Sequence, residues 1–220
     1  MHWRAKGVVQ KVLGHVPGGE QAHYLLQKRF GGLRGFTREF DIKMDDWRLM
    51  AGHLRVAGVP ITGARLFEIG TGWYPTFPLA CYLGGARQVV TVDLNRHIKP
   101  ELVRECADNL GRHVELIAEA CAVPVSDVVA RQQTLVSRLA DGNDVDAATL
   151  GVVQYQAPSD ASRTTLKAAQ IDCVFSNSVL EHVLPAAVDV HPQFAHIPPE
   201  RLCVTSIDFI GRKPPQGSAS

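Results

Sequence analysis

Between Arg65 and Asn95 the chain passes from a β-branched, aromatic segment into a glycine turn, a helix and a second β-branched segment, and no other stretch constrains the fold as strongly. Leu66 to Ile69 stops at Gly70-Thr71-Gly72, where the backbone can turn sharply and approach a ligand without a Cβ in the way. Pro75 and Pro78 suit the first turn of a helix, where a missing N–H costs nothing, and Pro78 to Leu83 supplies apolar residues before Gly84-Gly85. Gln88 to Val92 is the next strand. Asp93 falls at its carboxyl end, 21 positions beyond Gly72, where a carboxylate accepts hydrogen bonds from a ribose diol.

Two nucleotide ligands compete for this turn. A dinucleotide fingerprint requires a third glycine in Gly-x-Gly-x-x-Gly, but Pro75 occupies that place, and Glu68 directs a carboxylate toward the space two phosphates need. Both features disfavour a dinucleotide-dependent oxidoreductase. A ligand with a sulfonium, an amino group and a ribose fits Glu68, the bare glycines and Asp93 together, and S-adenosylmethionine is such a ligand.

Glu68-Ile-Gly-Thr-Gly72 followed by Val92-Asp-Leu94 resembles motif I and the downstream acid of the class I S-adenosylmethionine-dependent methyltransferases. Tyr155-Gln-Ala-Pro-Ser-Asp160-Ala161, and then Ile171-Asp-Cys-Val-Phe-Ser-Asn-Ser-Val-Leu-Glu-His-Val183, resemble that family's adenine-contacting acid and its strand-four signature. The resemblance covers roughly residues 60–185. It implies an α/β fold: a Rossmann-like, mostly parallel sheet with helices on both faces. An N-terminal helical cap (1–60) would lie over a cofactor-binding domain (61–211), followed by a disordered tail (212–220). It further implies S-adenosyl-L-methionine as cofactor, contacted by Glu68, Gly70, Thr71, Gly72, Asp93, Leu94, Asp160, Ala161, Ser176 and Asn177. The reaction would move a methyl group to a small molecule or saccharide.

Several of these residues have a plainer reading. Asp160 can cap a helix N-terminus instead of accepting from an adenine amino group. His182 is the candidate general base for a hydroxyl or amine acceptor, because free imidazole titrates near neutrality, or else it bonds backbone or packs on the cofactor. His182, His191 and His196 are too irregularly spaced across a proline-rich segment to read as a metal site.

Outside the motif the pattern is helical. Trp3 to Val16 is a short basic amphipathic segment, either a flap on the core or a membrane-surface helix, and Glu20 to Phe30 and Asp45 to Val56 have helical periodicity. Helices follow from Pro100 to about Leu110 and from Pro124 to Leu139; the segment of about 112–150 is an insertion, shaping a substrate pocket or serving as scaffold. Gly151 to Gln156 and Ile171 to Phe175 are the third and fourth strands.

Residues 1–55 carry ten Lys/Arg against five Asp/Glu while the whole chain is only +1, which argues against a nucleic-acid binder that relies on a global basic field. The five cysteines are odd in number and set among apolar neighbours, as in a reduced cytoplasmic chain, and no apolar run approaches the length of a membrane span. From Leu184 onward only Leu202 to Ile210 suits a strand, so the sheet is expected to be incomplete on its C-terminal side, with an edge that a homodimer would cover. That shortfall supports a second reading, a non-catalytic protein binding an adenosyl ligand or a partner.

Overall fold

The computed structural model describes residues 36–164, 166, 170–179 and 209–212, together with Tyr24 and Arg29. They fall into two units divided between Lys43 and Met44. Helix α1 (Phe36–Val56) carries Met44, Trp47, Met50, Ala51 and Leu54 on one buried stripe, and the Trp47 indole N–H donates to Cys81 Sγ at 3.4 Å. These turns therefore belong to the α/β unit. The proposed helices at Trp3 to Val16 and Glu20 to Phe30 lie outside the described residues apart from Tyr24 and Arg29, which are helical.

Strands β1 (Arg65–Ile69), β2 (Gln88–Val92), β3 (Val153–Gln156) and β4 (Cys173–Ser176) form a parallel sheet in the order β3-β2-β1-β4. Strand β5 (Phe209–Arg212) pairs antiparallel with β4, so the edge of β4 is covered from within the chain. Of the expected Leu202 to Ile210 strand, only Phe209 and Ile210 lie among the described residues.

Strand register sorts the side chains onto two faces. Glu68 pairs with Thr91 and Phe175, and Leu66 with Val89 and Cys173, so these residues share one face. Helix α2 (Thr76–Leu83), buried at every position, packs on that face, where Phe77 stacks on Phe175 at 6.1 Å between ring centroids. Phe67, Val90 and Val92 occupy the opposite face and meet Ile69, Ala161, Leu166, Ile171 and Val174. Among the described residues the one-turn 3-10 helix Ala161–Arg163 packs on this second face through Ala161.

The long β2–β3 connection holds α3 (Pro100–Leu110), α4 (Val114–Cys121), α5 (Val125–Ala140) and the short α6 (Val145–Ala148). It is tied into the core. Arg131 donates to the Leu83 carbonyl at the end of α2, and Thr62 Oγ donates to the carbonyls of Gly84 and Cys121. Gly84 has an ordinary helical φ, but a Cβ there would collide with Cys121 Sγ, so glycine permits the close approach of α2 and α4. Cys81, Cys106, Cys121 and Cys173 are buried thiols outside any disulfide. Burial raises the Cys121 thiol to about 12 and the Cys173 thiol to about 11, which keeps both protonated and inert. No helix among the described residues is long and apolar enough to cross a membrane.

At the amino ends of β1 and β4, Arg65 and Asp172 form a two-pronged pair, with Nε–Oδ2 at 3.2 Å and NH2–Oδ1 at 2.6 Å. The Arg65 backbone N–H also donates to Asp172 Oδ2, and the Asp172 N–H to the Arg65 carbonyl. These contacts hold the Asp172 carboxyl below its usual range. A depressed folded-state value means that this stabilisation is complete above the unfolded carboxyl's titration near pH ~4 and is lost as pH falls through the lower, folded one. Asp172→Asn is therefore expected to lower stability at neutral pH and to flatten the acid limb of the stability profile, as followed by thermal unfolding between about pH 2 and 7.

Candidate functional site

Strand order reverses between β1 and β4, and the region outside their carboxyl ends is where open α/β sheets take ligands. The Gly70-Thr71-Gly72 turn enters it from β1. Gly70 and Gly72 have φ of +88° and +69°, a left-handed conformation that side chains rarely adopt, and the Gly70 and Thr71 amides donate to the Val92 carbonyl.

Asp93 joins this turn to the tip of β2. One carboxylate oxygen accepts from the Gly72 N–H at 2.9 Å and the other from the Asn95 N–H at 3.0 Å, while the Asp93 carbonyl accepts from Ser159 N–H. The residue is half-buried, and its carboxylate has acceptor capacity beyond these two bonds. Leu94 beside it is 70% exposed, an apolar side chain displayed at the strand tip. Trp73, directly after Gly72, packs against His97 of the next loop with ring centroids 4.6 Å apart and planes tilted by 36°, an aromatic pair that the motif-based reading missed. An aromatic placed directly after a glycine turn was the available signal.

Glu68 needs a correction. Rather than projecting into an open pocket, it is 4% exposed, because strand alternation puts it on the helix-covered face with Leu66 and Phe175. Its carboxylate accepts from the Thr91 hydroxyl, which lies 2.5 Å from the Thr71 hydroxyl. Glu68 thus supports the turn from beneath through two threonines, and Thr91 went unnoticed because it reads as an ordinary strand residue.

The two glycines also differ. No atom lies within 4 Å of where a Gly72 Cβ would stand, so that position is open. A Cβ at Gly70 would collide with Val179, so there the close approach is made by the chain's own loop after β4. The Ser176 hydroxyl donates to the Ile69 carbonyl at 3.0 Å, and Asn177 Nδ2 donates to Asp46 Oδ2 at 3.4 Å. Both residues are at most 9% exposed and brace the loop. Asp160 caps the 3-10 helix that begins at Ala161, accepting from the Ser162 N–H and hydroxyl, which together hold its carboxyl below the usual range. The turn, Asp93 and Leu94 are thus brought together at one tip, with Asp160 and Ala161 in the neighbouring loop. His182 lies outside the described residues, as do His191 and His196.

Among the described residues no group of three or more His, Cys, Asp or Glu is arranged to hold a metal ion. Comparison with protein-family models, with curated proteins and with solved structures found no match.

The buried hydroxyl–carboxylate chain makes a stability test. Thr91→Val keeps the β-branched shape but removes the donor to Glu68 and the partner of Thr71. A loss of about 1–3 kcal/mol is expected in urea unfolding, because a buried carboxylate is left one hydrogen bond short.

Proposed function

We propose that this chain binds an adenosyl ligand at the β1–β2 tip and acts as an S-adenosylmethionine-dependent methyltransferase on a small molecule or saccharide. The observation that carries the reading is the junction of Asp93 with the Gly72 turn at the β1–β2 tip, beside the topological switch point: a half-buried residue next to an open glycine and an exposed leucine. The β3-β2-β1-β4 order supports a Rossmann-like arrangement, in which this tip receives the nucleoside.

The residues fit the nucleoside end of such a ligand. Asp93 would accept from the ribose hydroxyls with its remaining lone pairs, Leu94 would cover one face of the base, and Gly72 leaves room for the sugar. When bound, the sulfonium supplies an activated methyl carbon, so the chain's own task is to align an acceptor and exclude water. Glu68 acts indirectly, by fixing Thr91 and Thr71 beneath the turn. Val179 covers Gly70, so the methionyl end has to displace the loop after β4 as it enters.

The second reading, an adenosyl-ligand binder without turnover, is favoured by β5. Among the described residues one short strand follows β4, and it runs antiparallel, in keeping with a sheet that is short on its C-terminal side. Nucleic acid is not proposed as a partner, and a homodimer remains part of neither reading's chemistry.

Calorimetric titration with S-adenosylmethionine, its demethylated product and NAD tests both. Binding of the first two is expected, and methyl transfer to candidate acceptors separates enzyme from binder. NAD binding alone overturns both. Asp93→Ala is expected to weaken the demethylated product by about 1–3 kcal/mol through lost charge-assisted hydrogen bonds, and unchanged affinity removes Asp93 from the site.

A further inference from the structure

A cavity of about 410 Å³ opens at the β3 side of the sheet, where α3, the end of α5 and α6 approach Tyr155. Its size is that of a small-molecule site. Val103, Leu139 and Val145, each at most 4% exposed, give it an apolar lining.

The charged groups around it come from different elements. Arg96 belongs to the β2–α3 loop and Arg104 to α3, whereas Asp144 caps α6 and Asp146 lies within it. No ion pair joins the arginines to the acids among the described residues. Arg96 donates to the Ala157 carbonyl and stands 5.8 Å from the centre of the Tyr155 ring; Arg104 donates through Nε to the Leu139 carbonyl at 3.2 Å. A guanidinium has five N–H donors, so most of the donor capacity of both side chains faces outward from the protein's own bonds. Each acid likewise has one engaged oxygen: Asp144 Oδ1 accepts from Ala147 N–H at 2.9 Å and Asp146 Oδ1 from Tyr155 N–H at 3.0 Å.

A simple anion entering here gains two guanidiniums but meets two carboxylates, and a simple cation meets the reverse. A zwitterion satisfies both sets at once, which is the electrostatic basis of selectivity between them. We propose that this cavity binds a free α-amino acid with a large apolar side chain. Its carboxylate is taken by Arg96 and Arg104, its ammonium by Asp144 and Asp146, and its side chain by the apolar lining. The proposal goes beyond the nucleoside reading and does not rest on it, since Asp93 is no part of this lining.

The test is titration of the full chain with L-phenylalanine, N-acetyl-L-phenylalanine and L-phenylalaninamide, with methyl NMR signals of Val103, Leu139 and Val145 reporting location. Phenylalanine is expected to bind and shift these signals, and each derivative, lacking one head charge, to bind at least about tenfold more weakly, a difference of about 1.4 kcal/mol. Asp144→Asn retains a capping side chain, and Arg96→Gln replaces one exposed guanidinium, with its bond to the Ala157 carbonyl, by a neutral amide; both variants are expected to stay folded by thermal unfolding and to lose about tenfold in affinity. Absence of binding at about 10 mM, equal binding of all three compounds, or shifts confined to other methyl groups each overturn the proposal.

Discussion

The bond from the Gly72 N–H to the Asp93 carboxylate is the constraint on which the candidate site depends. It joins two strand tips that the sheet alone would leave as separate loop starts. Asn95 closes a turn onto the same carboxylate, and Ser159 brings the loop after β3 to the Asp93 carbonyl, so three carboxyl-end loops converge on one residue. Beneath them, Glu68, Thr91 and Thr71 fix the height of the glycine turn over the sheet. A buried carboxylate is costly unless hydrogen-bonded, and here its bonds run toward the turn. The site's geometry is thus held from below by a polar chain and from the side by Asp93.

Much of the second unit was legible in the sequence because its elements are short and sharply bounded. Gln88–Val92 and Pro100–Leu110 occur as their residue patterns specify, with glycine or proline marking an end of each neighbouring segment. Helix α5 starts directly after Pro124, as the proline and the apolar stripe require. Helix α1 was harder to bound. Its apolar stripe continues back to Met44 and Phe40, but the basic and acidic residues between them obscure it.

Face assignment was the main thing that pattern reading missed. A two-residue period says which residues share a face, but not which face receives helices, and Glu68 lies on the covered one. Asp160 shows a different ambiguity: the chemistry that suits an adenine contact also suits a helix cap, and Ser162 takes it as a cap. The cavity between α3 and α6 left no local signature, because Arg96, Arg104, Asp144 and Tyr155 come together only once the insertion folds against β3. The insertion had been left as either pocket or scaffold, and it lines a cavity while also capping α2 through Arg131.

The Arg65–Asp172 clamp lies at the end of β1 and β4 away from the glycine turn. A slip of one residue between parallel strands would exchange their two faces wholesale, and this pair opposes such a slip without touching any tip residue. The sheet thereby has its anchorage and its candidate site at opposite ends. A substitution at the glycine turn or at Asp93 leaves the clamp, and the strand alignment that it holds, untouched.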